Sequence, residues 1–265
     1  MSVTSINLTS EMDLSDPYKI AEIESFWTRG IFFSFEGQCA KKIQCVKFVG
    51  NNNQKNLVFS SGRTEAYLKY KELAFDFYSN GFNVYMIDHR GQGLSERLIK
   101  NRQKGFVEEF DYYAEDLKQF IVDYVPTTGT SSKKPLLLGH SMGAAIGIRV
   151  LQKYPNLIET AVFSAPMIAI NTGKIPLKVA DLIIDMSSKV NKLVTREPWY
   201  ILGGHDYKEE PFDINMYTHS EIRYQRCAKE YKETEEIQLG SPTLFWVEQA
   251  FAICNTIFSD LKKIN

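Results

Sequence analysis

The sequence lacks the hydrophobic segments that direct a chain into a membrane or an export pathway. Residues 1–17 are polar and acidic, unlike a signal or transit peptide. No run approaches the ~18 apolar residues needed to cross a bilayer. The 4 cysteines show no C-x-x-C spacing, which favours reduced thiols over disulfides or zinc ligands. We therefore expect a cytoplasmic chain.

The chain also has little net charge and few structure-breaking residues. With 31 Lys+Arg and 32 Asp+Glu the net charge is -1, so no nucleic-acid partner is expected. Its 9 Pro and 16 Gly argue against a disordered or low-complexity chain. A length of 265 residues, 44% of them hydrophobic, allows a globular protein with a substantial core.

Predicted strands and helices alternate over the first two thirds of the chain. Apolar runs and turn signals predict strands at 31–35, 43–49, 56–59, 82–87, 135–138 and 158–163, with a turn at 51–54. Helical spacing predicts helices at 67–79, 108–125 and 144–154. This alternation predicts an α/β fold with a mostly parallel sheet. Beyond residue 166 we predict helices only at 176–193 and 242–261, separated by polar loops.

The motif Gly139–Gly143 reads G-x-S-x-G and lies between a predicted strand and a predicted helix. That setting is typical of a nucleophile elbow, which would make Ser141 a catalytic nucleophile. The helix amino end offers unpaired N–H groups to a developing oxyanion. We expect the donors to be the backbone N–H groups of Met142 and of Arg63, in the loop after an earlier strand. The alternative is a glycine-bounded turn with an inert serine.

Several further motifs accompany this elbow. They are Gly62–Glu65 with Tyr70, Asp88–Ser95, Ser164–Met167 and Thr218–Ser220. Together with the elbow they resemble the α/β-hydrolases, and within these the bacterial lysophospholipases related to monoacylglycerol lipases. The resemblance covers roughly residues 25–260. The lysophospholipase group fits better, because monoacylglycerol lipases carry His-Gly where this chain has Ser61–Gly62.

The resemblance implies an activity and a division of the chain. It implies a serine carboxylic-ester hydrolase that releases a fatty acid from a lysophospholipid or monoacylglycerol through an acyl-enzyme, without a metal or organic cofactor. It also implies peripheral contact with the inner membrane. The corresponding parts are a polar amino-terminal segment (1–25), an α/β-hydrolase core (26–165), a cap (166–240) and a return helix (241–265).

Two residues near these motifs are predicted to be structural. We expect Asp88 and Arg90 to fix the turn after a strand, as charged residues in glycine-rich turns usually do. A phosphate-binding role for Gly91 and Gly93 is disfavoured, because no Lys-Ser/Thr follows as in a P-loop. His140 precedes the nucleophile directly, and we expect a buried scaffold residue there and not the catalytic base.

The sequence offers no convincing base for Ser141. After it come only His205 and His219. An Asp206–His219 pair is disfavoured, because an acid and a base at the ends of successive parallel strands need on the order of 20 intervening residues. In the resembled family both residues follow the return helix, so we expect the chain to be truncated there and to lack the last strands. The alternative function is a catalytically incomplete homologue that binds lipid or a partner without turnover.

The cap combines apolar and basic residues. The apolar ones either receive an acyl chain or simply bury a helix face on the core: Ile168, Ile170, Ile175, Leu177, Val179, Leu182, Ile183 and Ile184. The basic ones either meet a phosphate head group or form a solvated face: Lys174, Lys178, Lys192, Arg196, Arg223 and Arg226.

Overall fold

A six-stranded sheet organises the computed structural model, which describes residues 6–50, 55–126 and 134–264. The strands are β1 (Ile31–Glu36), β2 (Lys42–Phe48), β3 (Lys55–Ser60), β4 (Phe82–Ile87), β5 (Leu136–His140) and β6 (Thr160–Ser164). Their order is β1-β2-β4-β3-β5-β6. β2 is antiparallel to both its neighbours, while β4, β3, β5 and β6 are parallel. The predicted α/β fold is confirmed. The turn expected at 51–54 lies outside the described residues.

Helices cover both faces of this sheet. They are α1 (Glu11–Leu14), α2 (Pro17–Trp27), α3 (Lys71–Ser79), α4 (Asp111–Tyr124), α5 (Met142–Lys153), α6 (Leu177–Val194), α7 (Glu221–Glu233) and α8 (Leu244–Ser259). Alternate residues of each strand point to opposite faces. Accordingly Tyr85 packs in a cluster with α4, α5 and α8, whereas Val84 and Met86 pack in a second cluster with α2 and α3.

Two regions of polar sequence contain helices that were not predicted. The amino-terminal segment carries α1 and α2, and α2 runs past residue 25. The stretch expected to be loop-rich contains the 13-residue helix α7, which buries only Tyr231. Neither region has a strong apolar stripe. The signals present in the sequence were the amino-terminal capping residues of these helices. They are Ser10, Asp16 (which a proline follows) and Ser220, and the side chain of each accepts a hydrogen bond from a backbone N–H group.

The sheet leaves β6 at its edge, since β6 pairs only with β5 among the described strands. Val162 in this strand is 59% exposed.

The helix α6 lies against α8. Within the described ranges, no helix combines the length and hydropathy that a membrane crossing requires.

Candidate active site

Ser141 occupies a sharp turn between β5 and α5. Its backbone has φ 52° and ψ -116°, a conformation that residues other than glycine rarely adopt. Its N–H donates to the Ser164 carbonyl at 3.0 Å, and its carbonyl accepts from the Met167 N–H at 3.1 Å. A strained serine fixed on a strand-to-helix turn is the geometry of a nucleophile elbow.

The glycines on either side of the turn are sterically required. A Cβ at Gly143 would lie 2.1 Å from the carbonyl oxygen of Ser60, at the end of the neighbouring strand β3. A Cβ at Gly139 would lie 2.8 Å from the Cα of Ala144. Side chains at these positions would therefore separate the elbow from the sheet.

The two expected oxyanion donors follow adjacent strands, Arg63 in the loop after β3 and Met142 at the start of α5, after β5. Ser60 and Gly139 are partners in the parallel β3–β5 pairing, so the loop after β3 emerges beside the elbow. Neither the Arg63 N–H nor the Met142 N–H donates a hydrogen bond to any acceptor among the described residues. Both N–H groups are thus available for another acceptor.

The loop that carries Arg63 is held by residues that the sequence analysis did not assign. The Gln92 side chain donates to the carbonyls of Gly62 at 2.7 Å and Glu65 at 3.0 Å. From the cap, the Tyr231 hydroxyl donates to the Thr64 carbonyl at 2.6 Å. The Asp88–Ser95 motif was a signal for Gln92. Nothing in the sequence linked α7 to this loop.

Asp88 and Arg90 have the structural positions expected of them. The buried Asp88 carboxyl accepts two backbone N–H bonds, at 2.6 and 2.7 Å. Burial raises its pKa to about 7, although both bonds act in the opposite direction. A Cβ at Gly93 would lie 2.2 Å from this carboxyl, so the glycine makes room for Asp88. Arg90 forms a buried ion pair with Asp116 at 2.7 Å.

His140 is not buried, contrary to our expectation, and it forms a polar cluster with Glu65. Its side chain is 36% exposed, and its Nδ1 lies 2.9 Å from Glu65 Oε2. The same carboxylate accepts from the Tyr70 hydroxyl at 2.6 Å and the Gly62 N–H at 2.5 Å. Burial raises the pKa of Glu65. The hydrogen bond with His140 and the charge of Lys69 lower it by more than burial raises it, so that the pKa is about 2. Glu65 is therefore an anion beside the loop at neutral pH.

No histidine is paired with Ser141 in the structure. Of the 4 histidines, His140 bonds to the glutamate, and the buried His89 lies 2.8 Å from the Ser60 hydroxyl. His205 and His219 are both exposed. No hydrogen bond between Asp206 and His219 is found among the described residues, and the Asp206 carboxylate accepts one from the Tyr200 hydroxyl.

The stretch before Asp206 is not a strand of the sheet. Residues 199–202 form one isolated antiparallel bridge, between Tyr200 and Thr243, with backbone hydrogen bonds from Ile201 N–H to the Pro242 carbonyl and from Leu244 N–H to the Trp199 carbonyl. Across the described residues, no group of histidine, cysteine and carboxylate side chains is arranged to hold a metal ion.

The apolar face of α6 is mostly exposed. Leu177, Leu182 and Ile183 are each about half exposed, at 51%, 58% and 49%. Ile170 and Ile184 are partly buried against the core, so packing on the core accounts for only some of the apolar residues of the cap. Among the cap's basic residues, Arg223 forms an ion pair with Glu72.

The chain is similar in sequence to a family of hydrolases. The family described as serine aminopeptidase, S33, matches residues 51–265. Lysophospholipase L2 of Escherichia coli K12 is 32% identical over 233 residues, covering 88% of this chain and 67% of that protein. The probable lysophospholipase L2 of Haemophilus influenzae is 33% identical over 211 residues, covering 80% of this chain and 63% of its own length. The chain thus spans about two thirds of these relatives.

Solved structures show the same fold at low sequence identity. The monoacylglycerol lipase of Paleococcus ferrophilus superimposes with a TM-score of 0.59 at 18% identity, covering 84% of this chain and 74% of its own. A soluble variant of the monoglyceride lipase of Saccharomyces cerevisiae superimposes with a TM-score of 0.60 at 16% identity, covering 86% of this chain and 69% of its own. These likenesses, with the sheet described above, show the α/β-hydrolase fold.

Proposed function

Because the chain belongs to the family described as serine aminopeptidase, S33, with an α/β-hydrolase fold, we propose that it is a serine carboxylic-ester hydrolase of lipids. The observation that carries the proposal is the strained backbone of Ser141 between β5 and α5. The proposed substrates are lysophospholipids, with monoacylglycerols as the second class. The sequence relatives named lysophospholipase L2 support this order of substrates.

In the proposed reaction, the Ser141 Oγ attacks the carbonyl carbon of the ester. Negative charge develops on the carbonyl oxygen, which accepts hydrogen bonds from the Arg63 and Met142 N–H groups. The tetrahedral intermediate collapses, the glycerol-containing alcohol leaves with a proton, and an acyl-enzyme remains. Water then attacks the acyl-enzyme, releases the fatty acid and restores the serine.

The Oγ proton must pass to a general base during the attack. The described residues supply the nucleophile and two free N–H donors, but none of the 4 histidines hydrogen-bonds to Ser141. This observation favours a second candidate function, a homologue that binds lipid esters through the elbow and cap without turnover. Hydrolysis of a lysophospholipid by the purified protein separates the two functions.

The nucleophile is tested by Ser141→Ala in the natural, full-length protein. We expect fatty-acid release from a lysophospholipid to fall by at least about a thousandfold, because removal of a nucleophile leaves only weak residual catalysis. His219→Ala is the matched control and should keep turnover, since His219 is exposed. Activity of Ser141→Ala within threefold of the parent would refute the assignment. Loss of turnover in His219→Ala, with unchanged stability, would identify His219 as the base.

A further inference from the structure

Arg63 differs from Arg90 and Arg97 in how few hydrogen bonds its guanidinium makes. Arg90 has a carboxylate partner, Asp116. Arg97 has none in contact, but its guanidinium donates to several backbone carbonyls. The guanidinium of Arg63 makes one hydrogen bond to a described residue, from Nη1 to the Gly240 carbonyl at 3.1 Å. Its Nε and Nη2 have no acceptor among the described residues.

The Arg63 side chain is held in one place. Its guanidinium lies over the ring of Trp246, 5.4 Å from the ring centroid. On another side the guanidinium lies against the Gly105 backbone, where a Cβ would be 2.9 Å from Nη1. The side chain thus extends from the loop beside the elbow to the segment 240–246, where the chain returns from the cap to α8. An arginine fixed in this way loses little further freedom when it binds a ligand.

The Arg63 side chain is charged and only partly exposed. Burial lowers the pKa of Arg63 to about 10, so the side chain remains positive at neutral pH. A partly buried cation is stabilised by a counter-ion, because removing a charge from water costs free energy unless it is paired. Two free guanidinium donors in a fixed plane match the oxygens of a phosphate group.

We propose that the Arg63 guanidinium binds the phosphodiester of a lysophospholipid, so that the loop carrying one oxyanion donor also selects phosphate-bearing esters over neutral glycerides. This inference rests on the proposed function, which places the ester carbonyl at the Arg63 and Met142 N–H groups. The Arg63 side chain has as many bonds between Cα and the guanidinium carbon as a 1-acyl lysophospholipid has between its ester oxygen and phosphorus. One residue therefore has the reach to bind both ends of the glycerol unit.

The test measures binding without turnover. The probes are a matched pair of ether lipids that cannot be hydrolysed, 1-O-hexyl-glycero-3-phosphocholine and 1-O-hexylglycerol, titrated below their micelle concentrations by calorimetry. Arg63→Gln should weaken binding of the phosphocholine ether by at least about tenfold, as loss of a charge-assisted hydrogen bond requires. Binding of the neutral ether should weaken by a much smaller factor. Arg63→Lys should restore part of the difference, because it keeps the charge without the planar fork.

The matched control is Lys178→Gln, which removes one positive charge from an exposed position of the cap. We expect it to leave the affinities for both ethers unchanged. Thermal unfolding of each variant checks that the fold is retained. Equal weakening of both ethers by Arg63→Gln would overturn the proposal and make Arg63 a structural residue. An equal effect of Lys178→Gln would also overturn it, in favour of attraction by surface charge.

The two proposals fail in different ways. If Ser141→Ala keeps full esterase activity while Arg63→Gln weakens binding of the phosphocholine ether and not of the neutral ether, the proposed nucleophile is wrong and the phosphate site stands. If Ser141→Ala is inactive but Arg63→Gln leaves the preference for the phosphocholine ether intact, the phosphate site is wrong and the hydrolase assignment stands.

Discussion

The elbow and the cap are stabilised in contrasting ways. Around Ser141 the backbone itself is packed, with glycines against neighbouring strands and buried side chains bonded to loop carbonyls and N–H groups. The cap helix α7 instead buries a single residue and is joined to the core and to α2 by ion pairs. The helix α6 leaves most of its apolar side chains exposed. Substitutions should therefore cost much more at the elbow than in the cap.

The largest loss of stability is expected for Gly143→Ala. The new Cβ would overlap the Ser60 carbonyl oxygen, and a backbone atom cannot move aside without disrupting β3. We expect a loss of at least about 3 kcal/mol in the free energy of unfolding. Gly147→Ala in the same helix is the comparator, because its Cβ would meet only side-chain atoms, those of Phe163 and Leu137, and no backbone atom among its nearest neighbours. Urea unfolding of both variants measures the difference, and equal losses would contradict the account of the elbow.

A smaller, pH-dependent loss is expected for Glu65→Gln. The pKa of Glu65 is about 2 in the folded chain and 4.5 ordinarily, so its ionisation stabilises the fold by about 3 kcal/mol above pH 4.5. This contribution is lost as the pH falls from 4.5 to about 2. Unfolding measured from pH 7 to pH 3 should show the parent and variant converging at the acid end.

The control for this experiment is Glu22→Gln, which changes a glutamate that is 55% exposed and paired with Lys19. Its stability should follow that of the parent at every pH. A constant gap between Glu65→Gln and the parent down to pH 3 would show that the Glu65 charge contributes nothing specific to the folded state.

The smallest effect is expected for Lys71→Gln. Lys71 joins Glu24 of α2 to Glu230 of α7, at 2.8 and 2.6 Å. Because part of this network is exposed, we expect a loss below about 1 kcal/mol that disappears in 1 M salt. Lys229→Gln is the control, since Lys229 pairs only within α7, with Glu233. A loss of several kcal/mol that persists in salt would contradict the contrast between the two regions.

The contrast between the elbow and the cap also explains which of the two could be predicted from the sequence. The elbow was predictable because its turn requires particular residues at fixed spacing, as Gly139 and Gly143 show. The helix α7 was missed because its position depends on charges brought from elsewhere in the chain, such as Glu72 for Arg223. His140 was misjudged for a related reason. The carboxylate that binds it, Glu65, is 75 residues away, and no local pattern joins the two.

The position of the nucleophile is tested most directly by covalent labelling of the natural, full-length protein with a fluorophosphonate. Peptide mass spectrometry should locate the adduct on Ser141, and Ser141→Ala should show no adduct under the same conditions. An adduct on another residue that persists in Ser141→Ala would contradict the account. So would hydrolysis of a lysophospholipid by a protein whose Ser141 is never labelled.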